Sequence, residues 1–410
     1  MMRILVHSIH FQPEQIGIGK YTAEMADWLA QRGHEVRIVT APPFYPAWQV
    51  MDGYAGGRYQ RERWQGMTLW RCPMWVPRHP TGVKRILQTL SFALSSAPVV
   101  LQQAFWRPDV VLMVVPPLAC AIWVWLIARL SGAQAWLHVQ DFEVDMAFET
   151  GLLRLPALRH FALWAERKLM SRFDRVSTIS RNMVARLIDK GVTEKRCVLF
   201  PNWVDTEAIR PLHGYNPFRG ELGISDGVTV ALYSGNMGEK QGLETVLEAA
   251  RRLNGEDSLC FVLCGEGASR KRLVQKYGDL STVIWLPLQP VARLNELLNL
   301  ADVHLLPQRA DVADLVMPSK LTGMLASGRP VIATAAAGTQ IDEVVTQCGI
   351  VVPPGDDCAL GMAIQRLSRD HAERHRLGEA ARNYAVENID SERILLEFER
   401  VLVSSRERAA

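Results

Sequence analysis

The sequence lacks the cysteine patterns that hold metals or cross-link a small fold. Its seven cysteines are scattered without a Cys-x-x-Cys pair or a Cys/His ligand spacing, which argues against a zinc site and a disulfide framework. The opening MMRILVHSIHF is too short for the apolar core of a signal peptide and has no small-residue cleavage pattern. We therefore expect reduced core thiols in a cytoplasmic protein.

Two uncharged stretches, 86–106 and 110–128, are long enough to span a bilayer, which needs roughly 20 apolar residues. Neither is typical of a span, because the first contains several Gln and Ser residues and Pro116 and Pro117 split the second. The second is expected to be a buried strand followed by a helix. The first follows Lys84 and Arg85, which favours an amphipathic helix lying on a membrane surface, with a wall of the cleft as the alternative.

Nucleotide-binding fingerprints are absent from the first glycine-rich turn. In FQPEQIGIGKYT, Gly17 and Gly19 precede a predicted helix over 21–32, where backbone N–H groups can approach an anion. Thr22 stands at the third glycine of the dinucleotide pattern, and Glu14 at the first glycine of the Walker pattern. An NAD enzyme and a P-loop NTPase are therefore disfavoured, and a structural tight turn remains the alternative.

Charge is unevenly distributed along the chain. Residues 1–204 contain 24 Lys/Arg against 15 Asp/Glu, whereas the remainder contains 22 against 28. Eleven of the twelve tryptophans also lie at or before Trp203. The basic excess is greatest within 53–108, which suits an anionic lipid or a sugar phosphate better than nucleic acid, because Trp favours membrane interfaces and sugar faces. Solvated arginines over a Trp-rich core are the alternative.

Short apolar runs alternate with helical periodicity in both halves, which predicts two parallel sheets. The predicted strands of the first half lie at 3–9, 35–40, 109–115, 135–139, 175–180 and 197–201; those of the second half lie at 228–235, 259–265, 283–287, 303–307, 330–334 and 349–354. The segment 201–217 has neither period and is expected to link them. We predict an α/β protein with doubly wound, Rossmann-like domains at 1–204 and 205–385 facing a cleft, and a C-terminal helix in 386–410 that packs back on the first domain.

The second half contains three turns suited to an anion. SGNMGEKQG places Asn236 and Lys240 after a strand, and CGEG places Gly265, Glu266 and Gly267 after the next. In MPSKLTG, Pro318, Ser319 and Lys320 begin a predicted helix, with Ser319 able to cap it. Because the carboxyl ends of parallel strands share one edge, these turns predict a nucleotide diphosphate site, although each alone could be a cap or a solvated lysine.

The order of these motifs resembles the retaining GT-B glycosyltransferases related to bacterial mannosyl- and glucosyltransferases. The resemblance covers nearly the whole chain and includes FQPEQIGIGKYT, PNWVDTEAI, CGEG and PSKLTGMLASGRPVIAT. It implies a sugar nucleotide bound by the second domain, an acceptor bound by the first, and transfer with retention without a metal or other cofactor. The chain contains no Asp-x-Asp, in agreement with that last expectation.

Within that family, WLHVQDFEVD and YSGNMGEKQGLETV resemble transferases of enterobacterial exopolysaccharide (colanic acid) assembly. This likeness implies GDP-fucose as donor and a lipid-diphosphate-linked saccharide as acceptor. The protein would then lie peripherally on the cytoplasmic face of the inner membrane. On the acceptor side the matching residues are Gly17, Gly19, Lys20 and Gln140, with Asp141 and His138 as catalytic candidates near the reacting sugar. His138 could equally be a satisfied core residue.

The sequence departs from the family pattern at its acidic residues. The paired glutamates ahead of the A-x-G-x-P turn align with Leu315 and Gly323, and the first phosphate turn has Asn236 in place of an arginine. Lys240 and Lys320 are then expected to balance the phosphate charge, and Asp311, Asp314 or Glu266 are candidates to replace a lost acid. A sugar-nucleotide epimerase of the same fold and a non-catalytic subunit of a glycan-assembly complex are the other functions considered.

Overall fold

The computed structural model describes residues 1–14, 17–79, 81–145, 156–309 and 318–407. Two compact units divide the chain: Met1–Pro201 together with Leu395–Ala410, and Asn202–Ile394. Each unit is built on one sheet. The prediction of two parallel-sheet α/β domains is therefore confirmed.

Eight described strands form the sheet of the first unit, in the order β3-β4-β2-β1-β5-β6-β7-β8. Their bounds are β1 Arg3–His7, β2 Glu35–Thr40, β3 Gln60–Trp64, β4 Met67–Arg71, β5 Val110–Val115, β6 Gln134–Val139, β7 Arg175–Thr178 and β8 Cys197–Leu199. Strands β5 and β6 are buried along their whole length, as expected for parallel strands covered on both faces. The chain switches direction across the sheet between β1 and β5, which places the loop after β1 at a usual ligand-binding position.

The hairpin β3–β4 was not predicted. Its strands are antiparallel and are joined at Gln65 and Gly66, both with positive φ, as in a type I′ turn. Strand β3 reads QRERW and exposes alternate residues, because it lies at the sheet edge. Its charged side chains hide the apolar signal on which sequence-based strand prediction depends.

Helices of the first unit cover both sheet faces; their bounds are Ile18–Gln31, Gly82–Gln102, Ala121–Ser131, Pro156–Met170 and Arg181–Asp189. The first begins at Ile18, three residues before the predicted start. The uncharged stretch 110–128 is a buried strand followed by a helix, as predicted. Of the helices in the described ranges, none combines the length and the hydropathy needed to cross a membrane.

The C-terminal helix Ser391–Glu407 contributes its part from Leu395 onward to the first unit. The Phe398 ring stacks on Phe200 with centroids 4.0 Å apart and meets the Trp136 ring edge-on at 5.2 Å. Glu399 pairs with His34 at 2.9 Å. Helix and sheet therefore share one apolar core although almost 200 residues separate them in sequence.

Six parallel strands form the sheet of the second unit, in the order β11-β10-β9-β12-β13-β14 among the residues described. Their bounds are β9 Thr229–Ser234, β10 Leu259–Cys264, β11 Val283–Leu286, β12 Val303–Leu306, β13 Val331–Thr334 and β14 Gly349–Val352. The helices are Pro217–Glu221, Leu243–Arg252, Arg270–Tyr277, Leu294–Leu300, Lys320–Ala326, Gln340–Val345, Asp357–Arg369 and His371–Asn388. The switch point lies between β9 and β12, so the turn after β9 occupies it.

Candidate functional site

The turns that follow β9 and β10 pack directly on each other. A Cβ on Gly265 would lie 1.9 Å from the carbonyl oxygen of Gly235, and one on Gly267 would lie 2.6 Å from that of Met237. The Met237 N–H donates to the Glu266 carbonyl at 2.8 Å. Packing therefore requires glycine at positions 265 and 267, because only glycine lets the two backbone turns meet at the carboxyl edge of the sheet.

Lys320 reaches this edge from the start of its own helix and is held by two neutral groups. Its Nζ donates to Gln241 Oε1 at 2.6 Å and to the Tyr233 hydroxyl at 3.3 Å. The Tyr233 hydroxyl donates in turn to the Asn236 carbonyl at 2.6 Å, so its oxygen is free to accept from the lysine. Nζ also lies 4.4 Å from the centre of the Tyr233 ring, close enough for a cation–π contact. The lysine is thereby fixed beside Gly235.

The environment of Lys320 disfavours its own positive charge. No described carboxylate lies within ion-pair distance of its Nζ, although the residue as a whole keeps some solvent exposure. Burial of the ammonium lowers the pKa of Lys320 to about 7 from its ordinary 10.5. A lysine held by neutral partners at a switch point, with no ion-pair partner among the described residues, suits a phosphate group.

The other residues predicted for the donor differ in exposure. Asn236, Lys240 and Ser319 are exposed, and Pro318 is partly buried. Ser319 makes no capping hydrogen bond through its side chain, contrary to the expectation, and the helix after it has only seven residues. The Glu266 carboxylate is exposed and lies 3.7 Å from Arg270. Contact of these residues with a donor stays a prediction.

Of the two positions that align with the family's paired glutamates, the structure describes Gly323. Gly323 lies within the Lys320–Ala326 helix, where a Cβ would come 3.2 Å from a methyl group of Leu298. A longer side chain there would have to displace that leucine. Leu315 lies outside the described residues, as do Asp311 and Asp314, the candidate replacements.

A buried carboxylate that sequence analysis did not identify organises the carboxyl edge of the first sheet. Glu14 is 1% exposed, and its Oε1 accepts the backbone N–H groups of Phe44 and Tyr45, each at 2.9 Å. Its Oε2 lies 2.7 Å from Nδ1 of His10. The His10 ring stacks on Phe44 at 5.1 Å and meets Tyr45 edge-on at 5.7 Å. The spacing H-x-x-x-E directly after a strand was the available sequence signal.

Asp141 belongs to the same edge of the sheet, two residues after β6. Burial raises the pKa of Tyr45, and the negative charges of Glu14 and Asp141 raise it further, whereas Arg85 opposes them. These interactions show that the four groups are electrostatic neighbours. Asp141 and Glu14 therefore both act on Tyr45, and the catalytic role of Asp141 stays a prediction.

The glycine turn before the first helix leaves space for the buried Glu14 side chain. Gly17 precedes the helix with φ of 60°, and Gly19 lies in its first turn. A Cβ on Gly19 would lie 3.0 Å from the Glu14 side chain, so the glycine leaves room for the buried carboxylate. Lys20 instead pairs with Glu24 on the helix surface at 3.4 Å. Acceptor binding by these residues stays a prediction.

His138 and Gln140 point into the core of the first unit. Both are buried, and the Gln140 amide donates to Nε2 of His138 at 2.9 Å while Nδ1 lies 2.9 Å from the Ser177 hydroxyl. Burial lowers the pKa of His138 to about 3, so the ring is neutral. This geometry favours the alternative of a satisfied core histidine. The catalytic role of His138 stays a prediction without an exposed nitrogen to support it.

The His, Cys, Asp and Glu side chains of the described ranges do not form a cluster of metal ligands. Across the described residues, no group of three or more His, Cys, Asp or Glu side chains is placed to hold a metal ion. All seven cysteines are free, and five of them are buried: Cys72, Cys120, Cys260, Cys264 and Cys348. Burial raises the pKa of the Cys72 thiol to about 12 and that of Cys260 to about 11, which makes them inert core residues.

Comparison with known proteins agrees with this architecture. Residues 17–203 match the family model of the glycosyl transferase 4-like domain, and residues 216–384 match that of glycosyl transferases group 1. The chain is 42% identical, over 97% of its own length and 98% of the relative's, to WcaI of Escherichia coli (strain K12), which has a provisional name as a colanic acid biosynthesis glycosyl transferase.

Solved structures share the fold at low identity. Sucrose-phosphate synthase from Thermosynechococcus elongatus is 18% identical, with a TM-score of 0.78 and coverage of 98% of this chain and 99% of its own. HepE from Anabaena, solved with UDP and glucose, is 13% identical, with a TM-score of 0.71 and coverage of 98% and 100%. On the strength of the full-length relative and both domain matches, the chain belongs to the family-4-type glycosyltransferases of the GT-B fold.

Proposed function

We propose that this glycosyltransferase moves fucose from GDP-fucose, with retention and without a metal, onto a lipid-diphosphate-linked saccharide in exopolysaccharide assembly of the colanic acid type. The name of the E. coli relative supports the pathway, and HepE, solved with UDP and glucose, supports a nucleotide-sugar donor. The observation that carries the proposal is the lysine held beside Gly235 at the switch point of the second sheet.

The diphosphate is the part of the donor that this lysine would recognise. In the transfer, the bond between the anomeric carbon and the diphosphate oxygen breaks, and the electron pair leaves on the diphosphate. Lys320 would stabilise that growing negative charge, and Lys240, exposed on the turn after β9, would add a second positive charge. Gly323 supplies no carboxylate to contact the donor. The proposed donor binding therefore depends on Lys320 and Lys240.

A lipid-linked acceptor requires that the protein contact a membrane surface. The Gly82–Gln102 helix has a face suited to that contact. Its exposed apolar residues fall on a single face within about a third of a turn: Val83, Ile86, Leu87, Leu90 and Leu94. Tyr59, 53% exposed, bonds the helix backbone at Ser95, and Trp75, 47% exposed, bonds Ser91. An apolar stripe flanked by aromatic rings is typical of helices that lie in the membrane interface.

Positive charge accompanies that stripe. Four exposed basic residues lie before the stripe or in the first turn of the helix: Arg58, Arg78, Lys84 and Arg85. Each basic residue near an anionic leaflet adds about 1 kcal/mol of attraction. We therefore propose peripheral binding to the inner membrane through this face, which would bring the lipid-linked acceptor to the first unit.

Membrane binding is tested by flotation with vesicles of phosphatidylglycerol and phosphatidylcholine. Leu87→Asp/Leu94→Asp should abolish flotation, whereas Leu130→Asp, at a similarly exposed leucine on another helix, should not. Flotation should also fall as phosphatidylglycerol is removed or salt is added. Equal flotation of all three proteins would refute this docking face.

The reaction is tested by nucleoside diphosphate release from a panel of GDP- and UDP-sugars, with and without a synthetic lipid-diphosphate-linked glucose. Acceptor-dependent release from GDP-fucose alone is the expected result, and NMR of the product should show the donor's anomeric configuration retained. Conversion of the donor without acceptor would indicate an epimerase. No release from any donor by folded protein would indicate a non-catalytic subunit.

A further inference from the structure

We infer that Arg329 binds a phosphate group at the amino edge of the second sheet, with Arg219 and Arg374 as its positively charged neighbours. No step of the proposed transfer reaction uses these arginines. None of the three was a candidate from the sequence.

Adjacent strands bring the three arginines to one edge of the sheet. Strands β9, β12 and β13 are neighbours and parallel, so their first residues share that edge. Nη1 of Arg374 lies 3.5 Å from Oγ1 of Thr229, the first residue of β9. Arg219 bonds Asp302, which directly precedes β12. Arg329 stands two residues before β13.

Asp302 is already bonded and does not serve Arg329. Its Oδ2 accepts from Nη2 of Arg219 at 2.7 Å and from the Val230 N–H at 2.9 Å. Nη1 of Arg219 also donates to the carbonyl of Val228 at 3.1 Å, which fixes that side chain. Arg219 and Asp302 therefore neutralise each other.

Arg329 has no comparable partner. Its side chain is partly buried, and its Nε is fully buried without a hydrogen-bond partner among the residues that the structure describes. Burial lowers the pKa of the Arg329 guanidinium, and the charges of Arg219 and Arg374 lower it further, whereas Asp302 opposes them. A guanidinium stays protonated in proteins, so these interactions cost free energy and do not remove the charge.

The other groups beside Arg329 add no negative charge. Nη1 of Arg374 donates to the Leu367 carbonyl at 2.9 Å, which is a neutral acceptor. His304 donates its backbone N–H to the carbonyl of Pro330, the residue after Arg329. Burial lowers the pKa of His304 to about 3, so its ring is neutral. Two guanidinium charges, those of Arg329 and Arg374, thus lack a carboxylate partner among the described residues.

A phosphate group is the ligand that suits this arrangement. Its oxygens can accept the paired N–H groups of a guanidinium, and a dianion would balance both charges. Strand β9 has six residues, so roughly 17 Å separate its amino end from its carboxyl end, after which Gly235 and the Lys320 ammonium lie. One phosphate cannot span that distance, and the site is therefore distinct from the proposed donor site.

Thermal unfolding of the full chain in phosphate, compared with chloride of matched ionic strength, tests the site. Because a ligand of the folded state raises Tm, about 20 mM inorganic phosphate should raise that of the wild type by about 2–5 °C. Arg329→Met should abolish the rise. In chloride the variant should be at least as stable as the wild type, because it deletes an unpaired and partly buried charge. An arginine with a purely structural role would instead give a variant of lower Tm in both salts.

Two control variants locate the phosphate. Arg369→Met removes an exposed arginine of the same unit and should keep the full rise in Tm. Lys320→Met should keep it as well, since that lysine belongs to the opposite edge of the sheet. Loss of the rise in Lys320→Met but not in Arg329→Met would place the phosphate in the donor site and overturn the inference.

A measurement on the wild-type protein does not depend on folding of the variants. With the protein saturated by GDP, the ³¹P resonance of inorganic phosphate should still broaden, whereas a sharp phosphate line would overturn the inference. Glycerol 3-phosphate, added in place of phosphate, identifies the source of the group. Broadening of its resonance would show that the site accepts phosphate esters, and broadening of inorganic phosphate alone would identify the free anion as the ligand.

Discussion

Replacing Lys320 by methionine should weaken nucleoside diphosphate binding at low pH and have little effect at high pH. The ammonium is held by Gln241 and Tyr233, no carboxylate of the described residues pairs with it, and burial lowers its pKa to about 7. Below that pH the lysine is charged and can donate a charge-assisted bond worth about 1.5–3 kcal/mol. At pH 6 we therefore expect Lys320→Met to raise the Kd for GDP roughly 10- to 150-fold.

The pH dependence follows from the sign of the shift. Since an anion favours the protonated lysine, binding is coupled to proton uptake above pH about 7. The wild-type affinity should then fall by about tenfold for each further pH unit, until by about pH 9 it approaches that of the variant. Ionisation of GDP changes with pH as well, but it affects both proteins equally. It therefore cancels in the ratio of the Lys320→Met Kd to the wild-type Kd.

Isothermal titration calorimetry of GDP at pH 6, 7, 8 and 9 measures both the affinity and the proton uptake, the latter from buffers of different ionisation enthalpy. Lys240→Met is the matched control, because it removes a lysine of the same site while Lys320 and the wild-type pH dependence remain. A Kd ratio between Lys320→Met and wild type that is the same at all four pH values would refute the reasoning.

Three further predictions concern stability. Because the folded protein binds the Lys320 proton less tightly than the unfolded chain, the free energy of unfolding should rise with pH between about 7 and 10.5, and Lys320→Met should remove that rise in urea titrations. Gly265→Ala should lower Tm and abolish GDP binding, because its Cβ would strike the Gly235 carbonyl at 1.9 Å; unchanged melting would contradict the packing of the two turns. Phe398→Ala should destabilise the first unit by about 3–5 kcal/mol, since the ring is 2% exposed and stacks on Phe200, and a smaller loss by chemical unfolding would show that the helix contributes less.

Periodicity in the sequence predicted most of the fold, because buried parallel strands are nearly continuous apolar runs. Strands β2 and β13 lie close to their predicted positions for that reason. The β3–β4 hairpin was missed because an edge strand exposes one face and can be as polar as QRERW. Only pairing with β4 makes that segment a strand, and pairing is not visible in local sequence.

The candidate site was predictable where it depends on backbone turns and not where it depends on side-chain partners. Gly265 and Lys320 stand in recognisable strand–turn–helix patterns, whereas Gln241 and Tyr233 are ordinary residues until the fold brings them to the lysine. The sequence likewise offered His138 as a catalytic candidate, because polarity in a strand does not reveal that both ring nitrogens find buried partners.

Local sequence thus determined the two parallel sheets, the glycine turns and the family, because each depends on contiguous residue patterns. Tertiary structure alone decided the ionisation of Lys320, since a pKa depends on desolvation by groups distant in sequence. It also decided the pairing of His10 with a carboxylate buried by the loop after β2. Hydrogen bonds and charge burial are set by distances in space, and these exist only once the chain has folded.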